Sequence, residues 1–292
     1  MSEGSSVATL LSHGAAALQK AGVENPRAEA RLLLAHTAGL DRAAQIRDPE
    51  ALVDAGARRQ YEEALRRRAA REPMAYILGH REFYGLEFEV GPDVLIPRPE
   101  TELIVERGLQ LLADVHQARI LDIATGSGCL LVALLTSLRG SSGLGSDASP
   151  SALEIARGNA RKHGLGEAAA FRIADWARGI EGPFDLIVSN PPYIPSTEIA
   201  RLQPEVALFE PHLALDGGTS GIEPYQAMTA DLRRLSAPTT PVLLEIGQGQ
   251  EEVLCTWFEQ QGFVVAMHAD HAGIIRVLEL RRAPSFDRPL HP

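Results

Sequence analysis

Residues 184–193 read Phe-Asp-Leu-Ile-Val-Ser-Asn-Pro-Pro-Tyr. Their apolar centre lies between a Gly-Pro pair at 182–183 and two consecutive prolines, and this pattern predicts a short strand that is buried on both faces. Pro191 favours extended backbone at Asn190, and neither proline has an N–H to donate, so the strand must end there. Asn190 is therefore presented at the carboxyl end of a strand, the edge of an open α/β sheet where ligands bind.

The polar groups of Asn190-Pro191-Pro192-Tyr193 indicate what such a ligand would be. The tetrapeptide has no strong base and no nucleophile, but it offers an amide oxygen and proline carbonyls as hydrogen-bond acceptors and a flat aromatic ring. These groups suit a planar –NH₂, a weak nucleophile whose reaction depends on positioning and electrostatics. On these four residues alone, a strand-ending turn without chemistry explains the sequence equally well.

The composition sets bounds on the class of protein. The 292 residues are 45% hydrophobic and 23% charged, enough for one large domain and a smaller one. The net charge of -10 arises almost entirely after residue 80, which argues against a duplex-DNA binder because such proteins need a basic surface. Because there are only two cysteines, no apolar run of membrane-spanning length and no arginine before Arg27, we expect a cytoplasmic protein without disulfides or a targeting peptide.

Residues 5 to about 72 have helical periodicity. We predict a first helix that stops at Gly22, a second that starts at Asn25-Pro26 and buries the leucines at 32–34, and a third from about Pro49 to Arg71. The arginines of the third helix could contact RNA or an acidic partner. Glutamates interleaved with them favour a solvated helix face instead.

At 83–90 the pattern changes to an alternation of apolar and polar residues, which is typical of a strand. Gly91-Pro92-Asp93 then predicts a turn that pairs this strand with residues 94–96 in a hairpin. These patterns divide the chain into a helical domain at 1–78, a hairpin linker at 79–98, an α/β domain at 99–282 and a loose, proline-rich tail at 283–292.

From Arg119 onwards, predicted strands and helices alternate as in a doubly wound α/β sheet. The strands are expected at 120–124, 143–146, 168–174, 184–189, 241–246, 263–267 and 274–280. The helices are expected at 129–138, 150–162, 224–235 and 251–261.

The loop Ala124-Thr125-Gly126-Ser127-Gly128, between the first of these strands and its helix, has the form of a nucleotide-binding loop. Its glycines let a ligand approach the backbone, and the helix that follows offers free N–H groups. Leu131 stands where a dinucleotide-binding fingerprint has its third glycine. Asp122, inside the strand, disfavours a pyrophosphate and favours a cationic ligand.

Two further strand ends carry groups that suit a nucleoside. Asp147 is placed to accept hydrogen bonds from ribose hydroxyls, and Asp175-Trp176 offers a carboxylate and a flat indole for an adenine. A ligand with adenine, ribose and a cationic amino-acid arm is S-adenosylmethionine, and we expect no metal. Each residue alone has a structural explanation, since Asp147 could cap a helix and Trp176 could belong to the core.

The chain resembles the release factor glutamine methyltransferases, one family of the class I S-adenosylmethionine-dependent methyltransferases. The resemblance covers nearly the whole chain and is weakest over the first 70 residues. The matching segments are 76–79, 82–85, 95–102, 121–122 with 125–128, 188–193, 209–211, 243–247 with Gln250, and Asp270, Gly273 and Arg276.

The resemblance implies a Rossmann-like sheet of seven strands, the last antiparallel, with a small N-terminal helical domain that helps to grip the substrate. That substrate would be a class-1 peptide chain release factor, methylated on the glutamine amide of its Gly-Gly-Gln motif. Residues 124–128, Asp147, Trp176 and Asn190 would hold the cofactor. Asn190, Pro191, Pro192 and Tyr193 would hold the glutamine, with Asn190, Pro191 and Tyr193 as the catalytic residues and Arg98 and Glu100 as further substrate contacts.

Some residues depart from the family pattern. Ala124 replaces the usual first glycine of the loop, which is tolerable if its φ is negative. Ala207 and Ser220 stand where relatives often carry Arg and Asp, and Ile274-Ile275 replaces a polar pair. We expect these last three departures to affect the grip on the release factor more than the chemistry.

Two alternatives remain at this point. Asn-Pro-Pro-Tyr is shared with DNA adenine-N6 methyltransferases, so a nucleic-acid amino methyltransferase is the nearest one. The other is a non-catalytic, cofactor-binding, ribosome-associated module that uses the arginines at 58–71. For the main interpretation we expect a monomer with no stable nucleic-acid partner and no membrane partner.

Overall fold

The computed structural model describes residues 5–283, so the predicted tail at 283–292 lies almost wholly outside the described residues. The described residues form two compact units. One comprises residues 5–79 together with Gln203–Phe209, and the other comprises His80–Leu202 together with residues 210–283. Residues 80–98 of the predicted hairpin linker therefore belong to the second unit, and Gly79 belongs to the first. None of the helices in the described part of the chain is both long and apolar enough to cross a membrane.

The first unit is helical. Its elements are β1 (Ser5–Ser6), α1 (Val7–Lys20), α2 (Pro26–Ala38), α3 (Arg42–Arg47), β2 (Leu52–Val53), α4 (Ala55–Ala69), α5 (Met74–Leu78) and α9 (Pro204–Phe209). The predicted third helix is wrong between 49 and 54, since α4 begins only at Ala55. There β2 pairs with β1, and the Asp54 side chain caps the start of α4 by accepting from the Gly56 and Ala57 amides.

The core of the helical unit follows the apolar periodicity, with one exception. Leu33 and Leu34 are fully buried, but Leu32 is 52% exposed. Successive residues of a helix point about 100° apart, so three consecutive leucines cannot all face one core. Tyr61 fills the centre of this core and donates its hydroxyl to the Leu10 carbonyl at 3.2 Å.

The arginines near the end of α4 are not a uniformly solvated face. Arg68 is 6% exposed and pairs with Glu29 and, at 2.9 Å, with Glu205 of α9. Arg71 donates to the same Glu205 carboxylate. These two guanidinium groups are therefore engaged inside the helical unit, which removes them from the RNA-contacting set that the sequence left open.

The second unit begins with a hairpin whose turn differs from the predicted one. Strands β3 (His80–Phe83) and β4 (Leu86–Glu89) pair across Tyr84-Gly85, with φ values of 51° and 71°. Two positive φ values are what a tight two-residue hairpin requires. A turn does form at Gly91-Pro92-Asp93, where the Val94 amide donates to the Gly91 carbonyl at 3.1 Å. The predicted pairing across it is wrong, because residues 94–96 form no strand and bury Val94 and Ile96 as a loop.

A seven-stranded sheet forms the body of the second unit. Its strands are β5 (Arg119–Ile123), β6 (Ser142–Asp147), β7 (Ala169–Ile173), β8 (Leu186–Ser189), β9 (Val242–Glu245), β10 (Phe263–Ala269) and β11 (Ile275–Arg282). The helices are α6 (Glu102–Leu111), α7 (Cys129–Ser137), α8 (Pro150–Lys162), α10 (Glu223–Leu235) and α11 (Glu251–Gln260). The strand order is β10-β11-β9-β8-β5-β6-β7. Only β11, the last strand, runs antiparallel to its neighbours, so the predicted fold class is confirmed.

The apolar strands separate the two layers of helices. Ile120 of β5 and Leu186 of β8 belong to the core on one face, and Leu121 and Ile187 to the core on the other. All four residues of β8 are buried, as its continuous apolar run predicts. The chain leaves β5 towards β6 and β7 on one side, and β8 lies on the other. This change of direction makes a crevice at the carboxyl ends of β5 and β8.

Candidate active site

The crevice contains a cavity of about 370 Å³. Four groups of residues line it: the loop after β5, the strand ends at Asp147 and at 174–176, Asn190 and Pro192 after β8, and the segments 92–101 and 211–216. The cavity wall is mostly apolar with a few polar groups, as is usual for a small-molecule site.

The loop after β5 presents its backbone to the cavity at Gly126. Its φ is +54°, and a Cβ built there would meet no protein atom within 4 Å, so the space beside it is open to a ligand. Gly128 has a different role, because it does not line the cavity and its Cβ would lie 3.1 Å from the Cβ of Ala156. Gly128 therefore allows the loop to lie close to α8.

Asp147 is held rigidly at the cavity wall. Its Oδ2 accepts from the Gly126 amide and its Oδ1 from the Ser149 amide, both at 2.9 Å. Each carboxylate oxygen has capacity for a second hydrogen bond. The group is thus oriented to accept from a pair of vicinal hydroxyls.

Asp122 does not reach the cavity. It is fully buried beneath the loop, and its Oδ2 accepts from the Thr125 hydroxyl at 2.6 Å. Burial raises the pKa of Asp122 to about 7, because a charged carboxylate is poorly solvated there. The predicted direct contact with a cationic ligand is therefore replaced by an indirect role, in which Asp122 fixes Thr125 and the loop above it.

Ala124 has a φ of +58°, so the condition of a negative φ, under which alanine would be tolerable at this position, is not met. This region costs a residue with a Cβ roughly 1–2 kcal/mol, and glycine is the residue that adopts it freely. Ala124 lies on the cavity wall at the end of β5. The strain is therefore located at the point where the loop turns towards the ligand.

Asp175 and Trp176 both line the cavity. The Trp176 carbonyl accepts from the Ser146 hydroxyl at 2.8 Å, which ties the end of β7 to β6. The Asp175 side chain is 63% exposed and lies 3.4 Å from Arg178. The indole packs against the core of the sheet, so it is the better-held of the two predicted adenine contacts.

The Asn190 amide has a defined orientation. Its Nδ2 donates to the Thr101 hydroxyl at 3.1 Å, and no residue in the described part of the chain hydrogen-bonds to its Oδ1. Asn190 lines the cavity. Its amide oxygen is thus the acceptor that remains for a ligand.

The rest of the tetrapeptide is divided between the cavity and the interior. Pro192 lines the cavity, whereas Pro191 is buried. Tyr193 is partly buried against the core beside β8 and β9, and its hydroxyl donates to Glu245 at 3.3 Å. Its carbonyl accepts from the Gln250 side chain at 3.0 Å. The tyrosine ring does not line the cavity, so contact with a flat substrate group would involve only its exposed part.

Only one of the two candidate substrate contacts in the segment 97–102, Arg98 and Glu100, lines the cavity. Arg98 lines the cavity and forms an ion pair with Glu210, which also accepts from the Ile96 amide at 3.1 Å. Glu100 is exposed and does not line the cavity. Sequence reasoning assigned no role to Thr101, Glu210, Glu245 or Gln250, although all four lie in segments that carry the family resemblance.

Comparisons with known proteins agree with this geometry. The family described as PrmC N-terminal domain matches residues 9–79, and the family described as Methyltransferase small domain matches residues 101–204. A release factor glutamine methyltransferase of Rhodospirillum rubrum is 45% identical over 284 residues, covering 97% of this chain and 87% of that protein. One of Bradyrhizobium diazoefficiens is 43% identical over 275 residues, covering 92% and 93%.

Among solved structures, the hMettl16 catalytic domain in complex with MAT2A 3'UTR hairpin 6 has a TM-score of 0.57 at 17% identity. The match covers 78% of this chain and 84% of that one. This likeness concerns the fold alone. The sequence identity to the curated relatives is high over almost their full length: the chain belongs to the release factor glutamine methyltransferase family, and it is an S-adenosylmethionine-dependent methyltransferase.

Proposed function

We propose that this protein methylates the side-chain amide nitrogen of the glutamine in the Gly-Gly-Gln motif of class-1 peptide chain release factors. The observation that carries the proposal is the Asn190 amide, whose nitrogen is bound to Thr101 and whose oxygen is left for a ligand at the cavity wall. An –NH₂ group needs such an acceptor. The names of the curated relatives support the same substrate.

The residues on the cavity wall fit S-adenosylmethionine. Asp147 would accept from the ribose hydroxyls, Trp176 would lie against the adenine, and the open space beside Gly126 would admit the ligand next to the loop backbone. When bound, the cofactor supplies a methyl group on a positively charged sulfur. Asp122 would not contact the cofactor but would hold the loop in place by accepting the hydrogen bond from the Thr125 hydroxyl.

Asn190 would perform the central step by orienting the attacking nitrogen. Its Oδ1 would accept one hydrogen of the glutamine –NH₂, and the Pro191 carbonyl would accept the other. Both acceptors also stabilise the positive charge that grows on nitrogen during transfer. Because the amide lone pair is delocalised, this alignment must supply most of the catalysis.

Apart from Ala124, the departures from the family pattern are not among the residues that line the cavity. Ala207 is part of α9, and the Ser220 hydroxyl donates to Glu223 at 2.8 Å. The Ile274 amide donates to Asp270 at 3.0 Å in the turn before β11. We therefore expect these substitutions to change affinity for the release factor and to leave the transfer step unchanged.

Methyl transfer from radiolabelled S-adenosylmethionine to purified release factors tests the proposal. A class-1 release factor should become labelled, and a variant with the glutamine of its Gly-Gly-Gln motif replaced should not. Cofactor binding without any labelling would favour the non-catalytic module. Labelling of adenine in DNA or RNA, with affinity that falls steeply with salt, would favour the nucleic-acid methyltransferase instead.

The proposal includes a monomeric enzyme in the cytoplasm, where release factors act, with no stable nucleic-acid partner. Light scattering coupled to size-exclusion chromatography measures the mass of the particle. A dimer mass, or nucleic acid that copurifies through high salt, would contradict this part without affecting the assignment of the substrate.

A further inference from the structure

Asn159 is a fully buried polar residue near the end of α8. The other buried residues of this helix are alanines and one leucine, and asparagine has a lower helix propensity than either. A buried amide group also costs free energy unless hydrogen bonds compensate. The contacts of the side chain must therefore explain why an asparagine stands at this position.

The Asn159 amide bonds to the backbone of two separate segments. Its Oδ1 accepts from the Glu89 amide at 2.7 Å, and its Nδ2 donates to the Glu89 carbonyl at 3.1 Å. The same Nδ2 donates to the Ser127 carbonyl at 2.9 Å. Both hydrogens of the side-chain amide are thus used, and the reversed orientation would place its oxygen against two carbonyl oxygens.

Both segments belong to the surroundings of the cavity. Ser127 lies in the loop after β5 and lines the cavity itself. Glu89 is the last residue of β4, and the chain joins the cavity wall at Pro92. One buried side chain therefore connects the loop 124–128 to the strand that leads into the wall segment 92–101.

The loop 124–128 needs such support because its backbone is irregular. Its two glycines make other backbone conformations accessible to the unliganded protein. When only a fraction of the molecules has the binding conformation, the apparent dissociation constant is the intrinsic one divided by that fraction. A contact that holds the Ser127 carbonyl therefore acts on ligand affinity even though it does not touch the ligand.

We propose that Asn159 is a positioning residue for the binding of S-adenosylmethionine: it fixes the loop 124–128 through the Ser127 carbonyl and joins this loop to β4 through Glu89. The packing of the loop supports this role. A Cβ on Gly128 would lie 3.1 Å from the Cβ of Ala156, and Ala156 precedes Asn159 by three residues on the same face of α8. The inference concerns the cofactor and does not depend on which substrate is methylated.

Asn159→Ala removes all three hydrogen bonds without adding bulk. Its dissociation constant for S-adenosylmethionine, measured by calorimetry, should rise by about tenfold or more, as for a loop that is competent in one molecule in ten. Where methylation is measured, kcat at saturating cofactor should stay close to the wild-type value, because the bound cofactor restores the loop. An unchanged dissociation constant would overturn the proposal.

His163→Ala is the matched control. His163 follows the same helix and also contacts β4: its Nε2 lies 2.9 Å from the Glu87 carbonyl oxygen and its ring centroid 5.3 Å from that of Phe88. Within the described chain it has no hydrogen bond to the loop 124–128. This variant should lower the free energy of unfolding in urea and leave the dissociation constant for S-adenosylmethionine unchanged. An equal loss of affinity in the two variants would assign the effect to the packing of β4 on α8 and would overturn the proposal.

Asn159→Asp gives a second test if the alanine variant does not fold. When it is protonated, the introduced carboxyl group can accept from the Glu89 amide and donate to one carbonyl, whereas the ionised form can donate to neither. Burial raises the pKa of such a group, so the dissociation constant for S-adenosylmethionine should rise relative to the wild type between about pH 5 and about pH 8. A ratio of the two constants that stays flat over this range would overturn the proposal.

The wild type measured at each pH corrects for the titratable groups that both proteins share. These are Glu87 and Glu89 of β4, His163 after α8, and Asp122 and Asp147, which bond to the loop. The outcomes also separate this inference from the proposed function. If the wild type binds the cofactor but methylates no release factor, the proposed function fails, and the binding measurements still decide the role of Asn159.

Discussion

A Cβ on Gly221 would lie 2.5 Å from the carbonyl oxygen of Tyr193. That carbonyl and the Gly221 carbonyl both accept from the Gln250 side chain, at 3.0 and 3.3 Å. Gln250 in turn accepts from the Gly247 amide at 2.9 Å. The backbone that carries the tyrosine is therefore packed against glycines and fixed by one glutamine, which leaves no room for even a methyl group.

Gly221→Ala should displace the loop after β8 and reduce turnover. A shift of about 1 Å in the substrate-binding groups can cost roughly 10²-fold in rate, and we expect a loss of this order in methylation of the release factor. Gly221 also has a φ of +82°, so alanine is strained there regardless of the contact. The matched control is Gly164→Ala, where φ is +72° and nothing lies within 4 Å. Equal losses in the two variants would assign the effect to backbone strain.

Asn190→Ala should lower kcat by about 10²-fold or more, because the acceptor for the glutamine –NH₂ disappears while the cavity wall is otherwise retained. Affinity for S-adenosylmethionine, measured by calorimetry, should stay within a fewfold of the wild type. Turnover near the wild-type value would remove Asn190 from its proposed role. A large loss of cofactor affinity with unchanged kcat would identify it as a cofactor ligand only.

The alternation of strands and helices after Arg119 could be predicted because parallel strands leave a strong local signal. A strand buried on both faces is a continuous apolar run, and β8 is such a run from Leu186 to Val188. The residue that follows each strand then marks the edge of the sheet at which a ligand binds. This reasoning led to Asp147, Trp176 and Asn190, all of which line the cavity.

Thr101 and Glu245 could not be found in that way. Thr101 lies 89 positions before Asn190 in the chain, and Glu245 lies on a strand that becomes its neighbour only through the order of the sheet. Nothing in the local sequence records that order. The hairpin turn was misplaced for a related reason: alternation at 83–90 looks continuous, whereas Tyr84-Gly85 interrupts it with two positive φ values.

Asp147→Asn should weaken binding of S-adenosylmethionine. The asparagine nitrogen cannot accept, so one of the hydrogen bonds from the Gly126 and Ser149 amides is lost along with an acceptor for the ribose. Hydrogen bonds to charged groups contribute about 1.5–3 kcal/mol, which corresponds to roughly 10- to 100-fold in the dissociation constant. At saturating cofactor, kcat should be nearly restored. An unchanged dissociation constant would contradict the proposed ribose contact.

Ala124→Gly should stabilise the protein because it relieves a φ of +58°. Relief of roughly 1–2 kcal/mol is partly offset by the greater freedom of glycine in the unfolded chain, about 0.5–1 kcal/mol. We expect a net gain of about 0.5–1 kcal/mol in the free energy of unfolding, measured with urea. Ala227→Gly in α10 is the control, because the same substitution at an exposed helical position costs about 1 kcal/mol. A loss of stability at both positions would mean that the left-handed backbone at 124 carries no strain.

Glu245 should make the protein less stable as the pH rises through the weakly acidic range. Burial raises the pKa of Glu245 from 4.5 to about 7, and the nearby charge of Glu100 raises it further by a smaller amount. Thr101, Tyr193 and Arg276 lower it, but they do not outweigh burial. Between these two values the unfolded chain has released the proton while the folded chain retains it. The unfolded state binds fewer protons there, so the free energy of unfolding falls with pH.

Glu245→Gln removes this titration, so its stability relative to the wild type should improve between pH 5 and pH 8 by up to about 3 kcal/mol. Denaturant unfolding of both proteins across that range measures the change. Glu223→Gln provides the comparison, since hydrogen bonds from Ser220 hold the pKa of Glu223 at about 2 and the difference from wild type should be flat above pH 5. A flat profile for Glu245→Gln as well would mean that Glu245 is ionised in the folded protein throughout, held by Thr101 and Tyr193 more strongly than burial opposes it.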